Sequence, residues 1–374
     1  MKIFINGLSS RRGGSLMYLQ NILYQYPESC ENEVIVIAPK TLFVPKNRQN
    51  IKRLKIPEIF VVNPFARFIW EVFFLPKLLV RLNINVLFCP GGAFSGRLPK
   101  NCKLVTTFQN MIPFDMSQRL KYSLGYMRAR NWMLERKLFS SMMKSDLIIF
   151  ISHYAKSIIE KKANNMIFNS VTIPHGVDPK FRRESNKNLI CPDQFPDEYF
   201  LYVSTLDVYK AQVEVVKAYS LLKSRKSKIP KLIFIGSEYA AYGKKVREVI
   251  KKNNMEEYIL IKEAIPNKDL PALYQNASIN IFASMTENCP FILLEALAAG
   301  RPLVVSNYPP MPEFSGDAVE YFDPSVPEEL ANALEKILDN DLLSTSLSKK
   351  ALECSTHYDW SVSAKRTWES INSL

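Results

Sequence analysis

Short apolar strands alternate with helical stretches through both halves of this chain, which predicts an α/β fold of two doubly wound domains. Three observations carry that expectation. At 374 residues the chain exceeds one ordinary core and suits two. With 47% hydrophobic residues it has the material to build both. Residues 278–306 then read as strand, loop, helix, strand, one βαβ turn of a parallel sheet, whose ligands gather at the carboxyl ends of the strands. The expected domains are residues 1–183 and 184–356, followed by a C-terminal helix over 357–374.

KIFIN (2–6) is the first strand, and RRGGS follows it. The stretch SLMYLQNILYQY then has helical periodicity. Gly13 and Gly14 let the backbone approach a ligand at that helix start, or simply make a tight turn. The Walker lysine and the full G-x-G-x-x-G are missing. EVIVIA (33–38), IFVVN (59–63), VLFCP (86–90) and KLVTTF (103–108) continue the strand series. Residues 117–143 read as one long helix interleaving Arg119, Lys121, Arg128, Arg130, Arg136 and Lys137 with Tyr122, Tyr126, Trp132 and Phe139. Such a mixture suits a membrane interface or an ordinary helix with a solvated basic face. DLIIFISHYAKSIIE (146–160) is a strand running into a helix, with Ser152 at the N-cap. VTIPHGVDPKF (171–181) is a strand closing the first domain, and the polar, proline-containing stretch 182–198 reads as the linker. FLYVSTLDVYKAQVEVVKAY (200–219) opens the second domain as strand, loop and helix. KLIFIGSEY (231–239), YILIKEAIP (258–266) and SINIFAS (278–284) complete the alternation, with a helix at 268–277.

The stretch 286–306, TENCPFILLEALAAGRPLVVS, concentrates the chemistry. Pro290 suits a helix start and Gly300 a left-handed helix end. Glu295 sits inside an otherwise apolar helix, where an unpartnered carboxylate is costly. The two hydroxyls of a ribose would satisfy it, and so would an ion pair with Arg301. Glu287 precedes the helix, where main-chain N–H groups and the helix dipole gather anionic ligands. It also reads as an ordinary carboxylate at a helix N-terminus.

This stretch resembles the signature of retaining glycosyltransferases of family 4, which have the GT-B architecture of two Rossmann-like domains facing across a cleft. The resemblance rests on a Glu, a short loop and an apolar helix bearing a second Glu, then GRPLVVS, the Pro312–Glu313 step and the segment Gly316 to Pro324, all in order. It implies sugar transfer from a nucleotide sugar, UDP- or GDP-linked, with retention of configuration and no metal or cofactor. It implies that Glu287 fixes the sugar, that Glu295 holds the ribose, and that Asn288 and the N–H groups of Phe291 and Ile292 line the donor. Lys210 matches a lysine that holds the diphosphate, whereas Thr205 stands where arginine is usual, so bidentate contact is lost. The same resemblance turns Gly13 and Gly14 toward the cleft and brings the C-terminal helix back onto the first domain. At Phe108-Gln109-Asn110-Met111 the family's histidine is absent, and Gln109 is left to bond a hydroxyl. Acceptors in the family are saccharides, often lipid-linked, as in assembly of bacterial O-antigen or capsule.

The net charge of +13 is unevenly placed. Residues 1–190 hold 29 Lys+Arg against 11 Asp+Glu, and the remainder holds 20 against 25. A polyanionic partner on the first half follows, either membrane lipid or nucleic acid. No RRM, KH or helix-turn-helix pattern appears, so the expectation is an anionic membrane surface contacted through Arg119, Lys121, Arg128 and Arg130. The apolar run 68–80 is interrupted by Glu71, Pro76 and Lys77 and falls short of a spanning helix, which points to a cytoplasmic enzyme at the inner face of the membrane. Three histidines and no nucleophile elbow argue against a hydrolase triad, and His175 reads as structural. Asp339-Asn340-Asp341 has no adjacent strand and reads as surface, not a cation site. The six scattered cysteines suggest reduced thiols. A nucleotide-sugar epimerase on the same scaffold is the nearest alternative.

Overall fold

Thirteen strands, each paired in parallel with its neighbours, assemble into two separate sheets in the computed structural model of the chain. Residues 1–11, 13–27, 31–45, 49–166, 168–183, 189, 191 and 194–374 are described. They divide into two compact units. The first comprises Met1–Phe114, Leu124–Gly176 and Trp360–Leu374, and the second Asp115–Ser123 and Val177–Asp359. The boundaries therefore fall at 176 and 359, where the sequence suggested 183 and 356, and a short segment of the first half belongs to the second unit. Of the expected linker, 182–198, residues 184–188, 190, 192 and 193 lie outside the described residues.

The first unit is built on β1 (Lys2–Asn6), β2 (Glu33–Ile37), β3 (Ile51–Arg53), β4 (Val86–Cys89), β5 (Lys103–Phe108), β6 (Leu147–Phe150) and β7 (Ser170–Thr172), in the order β3-β2-β1-β4-β5-β6-β7. Ile3 lies between Val34 and Val86, and strand residues on both faces are buried, so these strands read as apolar runs without alternation. The C-terminal helix Trp360–Asn372 packs on the helix Gly13–Tyr24, where the buried Trp368 indole donates to the Ile22 carbonyl at 3.0 Å.

Two local expectations fail here. IFVVN is not a strand: Ile59–Val62 is one helical turn, and the place beside β2 is taken by the short, polar β3. Asn63 and Pro64 impose the helical course, for the Asn63 side chain accepts from the N–H groups of Phe65 and Ala66 and Pro64 starts the next helix. Residues 117–143 are not one helix either. Met116–Arg119 is a short helix capped by Asp115, and Tyr126–Met142 begins anew after Gly125, whose φ of +136° is open to glycine. That break separates the four cations expected at a membrane. Arg119 is 8% exposed, and the Lys121 ammonium rests 2.7 Å from the Met285 sulfur, both in the second unit. Arg128 and Arg130 belong to the first unit. The four do not form one surface of one unit, because tertiary packing buries Arg119 where helical periodicity alone leaves it outside.

The second unit holds β8 (Tyr199–Val203), β9 (Lys231–Ile235), β10 (Ile259–Lys262), β11 (Ile279–Phe282), β12 (Leu303–Ser306) and β13 (Glu320–Phe322), in the order β10-β9-β8-β11-β12-β13. Strand order reverses between β8 and β11, so the loops leaving their carboxyl ends diverge and open a crevice, the usual seat of a ligand in such sheets. The helix Phe291–Ala298 follows β11, with Pro290 just before it as the N-cap residue. It ends at Gly300, which has a φ of +61°.

Gly300 is doubly constrained. Its backbone is left-handed, and a Cβ there would come within 2.5 Å of the Leu352 side chain. Gly300→Ala is expected to lower stability by about 1–2 kcal/mol, several degrees in melting temperature. Leu352→Ala in the same chain should recover the steric part and leave the backbone part, which thermal melts of the single and double variants would separate.

Candidate functional site

The crevice at the ends of β8 and β11 is closed by two loops of unlike chemistry. After β8 the chain runs Ser204-Thr205-Leu206-Asp207 into a single helical turn, Val208–Lys210, that Asp207 caps at the Val208 N–H (2.7 Å). Ala211, with a φ of +55°, then reverses the backbone into the helix Gln212–Arg225. A left-handed, fully buried alanine is strained and marks a turn held by its surroundings. What it holds is Lys210. This lysine is 5% exposed, accepts the Tyr202 hydroxyl on its carbonyl at 2.8 Å, and lies against the rings of Tyr209 and Phe282.

After β11 the chain runs through Ser284, Met285 and Thr286 to Glu287. The Glu287 carboxylate accepts from the Lys210 ammonium and, on the same oxygen, from the Ser284 hydroxyl at 2.7 Å. The Met285 N–H donates to the Tyr209 carbonyl at 2.7 Å, so the two loops are also joined by backbone. The Gln212 amide ties the β8 loop to its own helix through the Ser204 hydroxyl (2.8 Å) and the Thr205 carbonyl (3.0 Å). Thr205 itself is exposed, its hydroxyl 3.4 Å from that of Ser237. Asn288 is buried, whereas Phe291 and Ile292 keep partial exposure at the helix start. Burial and the charges of Glu287 and Asp207 push the Tyr209 hydroxyl well above its usual range.

Glu295 lies one turn into the helix. Arg301 is not its partner, since that guanidinium donates to the Ala277 carbonyl at 2.7 Å. Among the described residues no ion pair reaches the Glu295 carboxyl. It retains some solvent exposure at its edge, yet burial of its carboxyl pushes the pKa up to about 8, against the opposing pull of Lys180 and of the Tyr274 hydroxyl beside it. That hydroxyl is itself buried, and the Glu295 carboxyl is its neighbour. The fold thus buries a carboxyl and a hydroxyl against each other with no cation paired to them, where a ligand bearing hydroxyls would supply further hydrogen bonds.

The second unit therefore brings together Lys210, Glu287, Glu295, Thr205, Asn288, Phe291 and Ile292. Gly13, Gly14 and Gln109 lie in the first unit. Gly13 opens the first helix with a φ of +61° and nothing within 4 Å of where a side chain would begin. Gln109 stands just beyond β5, and its amide donates to the Pro90 carbonyl at 2.8 Å, leaving its second N–H and its carbonyl oxygen for a ligand. His175 is buried against Tyr18 and Trp360, with ring centroids 5.2 and 5.5 Å away, and burial lowers its pKa to about 3, so it stays neutral. Asp339 pairs with Lys226, and Asn340 caps the helix Asp341–Ser355. Sequence reasoning missed Asp207, Ser284 and Tyr122, whose hydroxyl donates to Asp207 at 3.0 Å. The cap pattern at Asp207-Val208 was a usable signal, while nothing local marks Tyr122.

Comparison with known proteins agrees with this fold. The family description Glycosyl transferases group 1 matches residues 192–353, and Glycosyltransferase Family 4 matches residues 13–181. The O-antigen chain mannosyltransferase B of Escherichia coli is 24% identical over 264 residues, 69% of this chain and 67% of that one. The D-inositol 3-phosphate glycosyltransferase of Paenarthrobacter aurescens is 24% identical over 206 residues, 53% of this chain and 50% of that one. Among solved structures, HepE of Anabaena in complex with UDP and glucose superposes with a TM-score of 0.70 at 16% identity, covering 100% of both chains. That last likeness speaks to the fold.

The raised pKa of Glu295 carries a stability consequence. A carboxyl near 8 in the fold and 4.5 when unfolded binds more protons in the folded state between those values, so stability falls as pH rises from about 4.5 to about 8. Glu295→Gln should remove that slope in the ligand-free protein. The expected gain is about 1–3 kcal/mol at pH 8 and close to nothing at pH 4.5, read by thermal melts across that range.

Proposed function

Because the chain belongs to the family 4-type glycosyltransferases with the GT-B fold, we propose that it moves a sugar from a nucleotide-sugar donor to a saccharide acceptor with retention of anomeric configuration. The observation that carries the reading is the meeting of Lys210 and Glu287 at the switch point of the second sheet, with the buried carboxyl of Glu295 on the helix that follows. In this reading the donor's ribose hydroxyls donate to Glu295, and its diphosphate lies toward Lys210 and the N–H groups that open the helix at Phe291. Glu287 accepts from hydroxyls of the sugar being transferred.

Each group then has a task. As the bond between the anomeric carbon and the phosphate oxygen breaks, negative charge grows on the diphosphate, and a fixed ammonium in a site of low dielectric stabilises that charge without reorganising. The anomeric centre gains positive character and is held beside an acceptor hydroxyl, with Glu287 nearby to balance it. The acceptor we propose is lipid-linked, in the assembly of a bacterial surface polysaccharide. An O-antigen mannosyltransferase among the relatives supports this. Among the described residues no helix is long and apolar enough to cross a membrane, so contact with the inner face would be peripheral. Arg128 and Arg130 remain as cations of the basic helix.

A panel of UDP-, GDP- and dTDP-sugars, scored for transfer and hydrolysis, tests the proposal. One donor class should be consumed, and consumption of none would overturn it, while a product differing only in sugar configuration would favour an epimerase. Lys210→Ala is expected to lower turnover about 10²–10³-fold with little change in affinity for the free nucleoside, since its charge matters most as the bond breaks. A folded variant with near-normal turnover would remove Lys210 from the reaction.

Glu295 supplies a second test. A ligand that donates to the ionised carboxyl must first release its proton, so nucleoside affinity should rise about tenfold per pH unit below the pKa near 8 and level off above it. Glu295→Gln should weaken binding about tenfold or more at pH 8 and lose that pH dependence. Calorimetry with the nucleoside avoids titrating phosphate, and unchanged affinity would sink the assignment.

A further inference from the structure

A cavity in the first unit offers a second place for a ligand. It has a volume of about 970 Å³ and opens at the carboxyl ends of β1, β2 and β3, where ligands of parallel sheets gather. Four cations line it, Arg11, Lys40, Arg53 and Lys55, against the single carboxylate of Glu58. That carboxylate is taken by Lys40 at 2.8 Å. Arg53 donates to three main-chain carbonyls, of Ala38, Pro39 and Leu42, and Arg11 to that of Val62, and among the described residues neither forms an ion pair. Lys55 forms no ion pair among the described residues.

Behind this rim stands Arg67, more than half buried and donating to the Phe60 and Val61 carbonyls. Its pKa is lowered by burial and by the charge of Arg11, with the Glu71 carboxylate opposing. Two guanidinium groups held near each other repel, and a bound anion would offset that repulsion.

The second observation is apolar. The helical stretch after the cavity leaves Ile59, Val62, Phe65, Phe68, Phe73 and Phe74 in solvent, with Val62 51% and Phe65 71% exposed. Val62 belongs to this face and also lines the cavity, so the basic hollow and the apolar surface are continuous. Four exposed phenylalanines within ten residues are far beyond the scattered apolar exposure of an ordinary surface. A polynucleotide would answer the cations and leave the phenylalanines bare. An apolar protein helix would do the reverse. A phosphate carried on a long hydrocarbon chain answers both.

We propose that this cavity seats the phosphate of a lipid-linked acceptor, with Arg11 and Lys55 holding the anion and the Ile59–Phe74 face receiving its hydrocarbon chain. This rests on the acceptor reading above and deepens it. It also moves the lipid contact from the helix over 117–143 to the stretch 59–74. The aromatic rings are suited to the interface between headgroups and chains.

The test uses the full chain and neutral phosphatidylcholine vesicles with or without a few per cent of a polyprenyl monophosphate, alongside vesicles carrying the same charge as phosphatidylglycerol. Sedimentation should show binding to the polyprenyl phosphate vesicles at least tenfold tighter than to either of the others. Arg11→Ala with Lys55→Ala should abolish that preference, and Phe65→Ser with Phe68→Ser should lower overall vesicle binding, while melting temperature and nucleoside affinity stay as in the parent. Equal binding to both anionic vesicles, or a preference that survives loss of Arg11 and Lys55, would overturn the seat. So would failure of the parent chain to bind any vesicle. Loss of nucleoside binding by the parent chain would instead overturn the donor reading and leave the lipid result standing.

Discussion

A lysine ammonium and a glutamate carboxylate, withdrawn from most solvent and 77 residues apart in sequence, meet where the strand order of the second sheet reverses. Taking both charges out of water is expensive, and their mutual attraction repays this only when the remaining bonds are well made. They are well made here. Ser284 shares the Glu287 oxygen that Lys210 contacts, Tyr202 fixes the lysine's main chain, and the strained Ala211 turns the backbone so that the side chain reaches inward. Much of the surrounding loop structure reads as support for this one pair. An apolar pair of the same volume would be as stable, so the arrangement makes sense as a charge held ready for a charged ligand.

Glu295 presents the complementary case. Its carboxyl and the Tyr274 hydroxyl are buried against each other, with no ion pair to the carboxyl among the described residues, so the ligand-free protein keeps it protonated near neutral pH. This departure from ordinary burial chemistry lies on the helix that follows Glu287. A buried carboxyl lowers stability until a ligand completes its bonds.

The first unit repeats the fold with a different emphasis. Its sheet also reverses order, between β1 and β4, but its basic hollow lies to one side, over β1 to β3, where four cations face one carboxylate. The excess positive charge counted over residues 1–190 therefore has a local meaning at Arg11, Arg53, Lys55 and Arg67, beyond its general effect on attraction to anionic partners.

The sequence nominated Lys210, Glu287 and Glu295 as site residues, and it determined by itself most of the strands and the caps at Ser152 and Gly300. These follow from local rules: apolar runs make strands buried on both faces, and cap chemistry acts within a turn. It misjudged IFVVN, whose apolar composition suits a strand while Asn63 and Pro64 impose a helical course, and it overlooked Ile51–Arg53, too short and polar to announce an edge strand. Tertiary structure alone decided that Lys210 pairs with Glu287, that Arg301 leaves Glu295 alone, that Arg119 is buried, and that residues 115–123 join the second unit. Each of these is a contact between distant parts of the chain, and a pattern with a period of two or 3.6 residues holds no record of which surfaces will meet. The basic cavity is of the same kind, since it exists only where three strand ends and the turn after them come together.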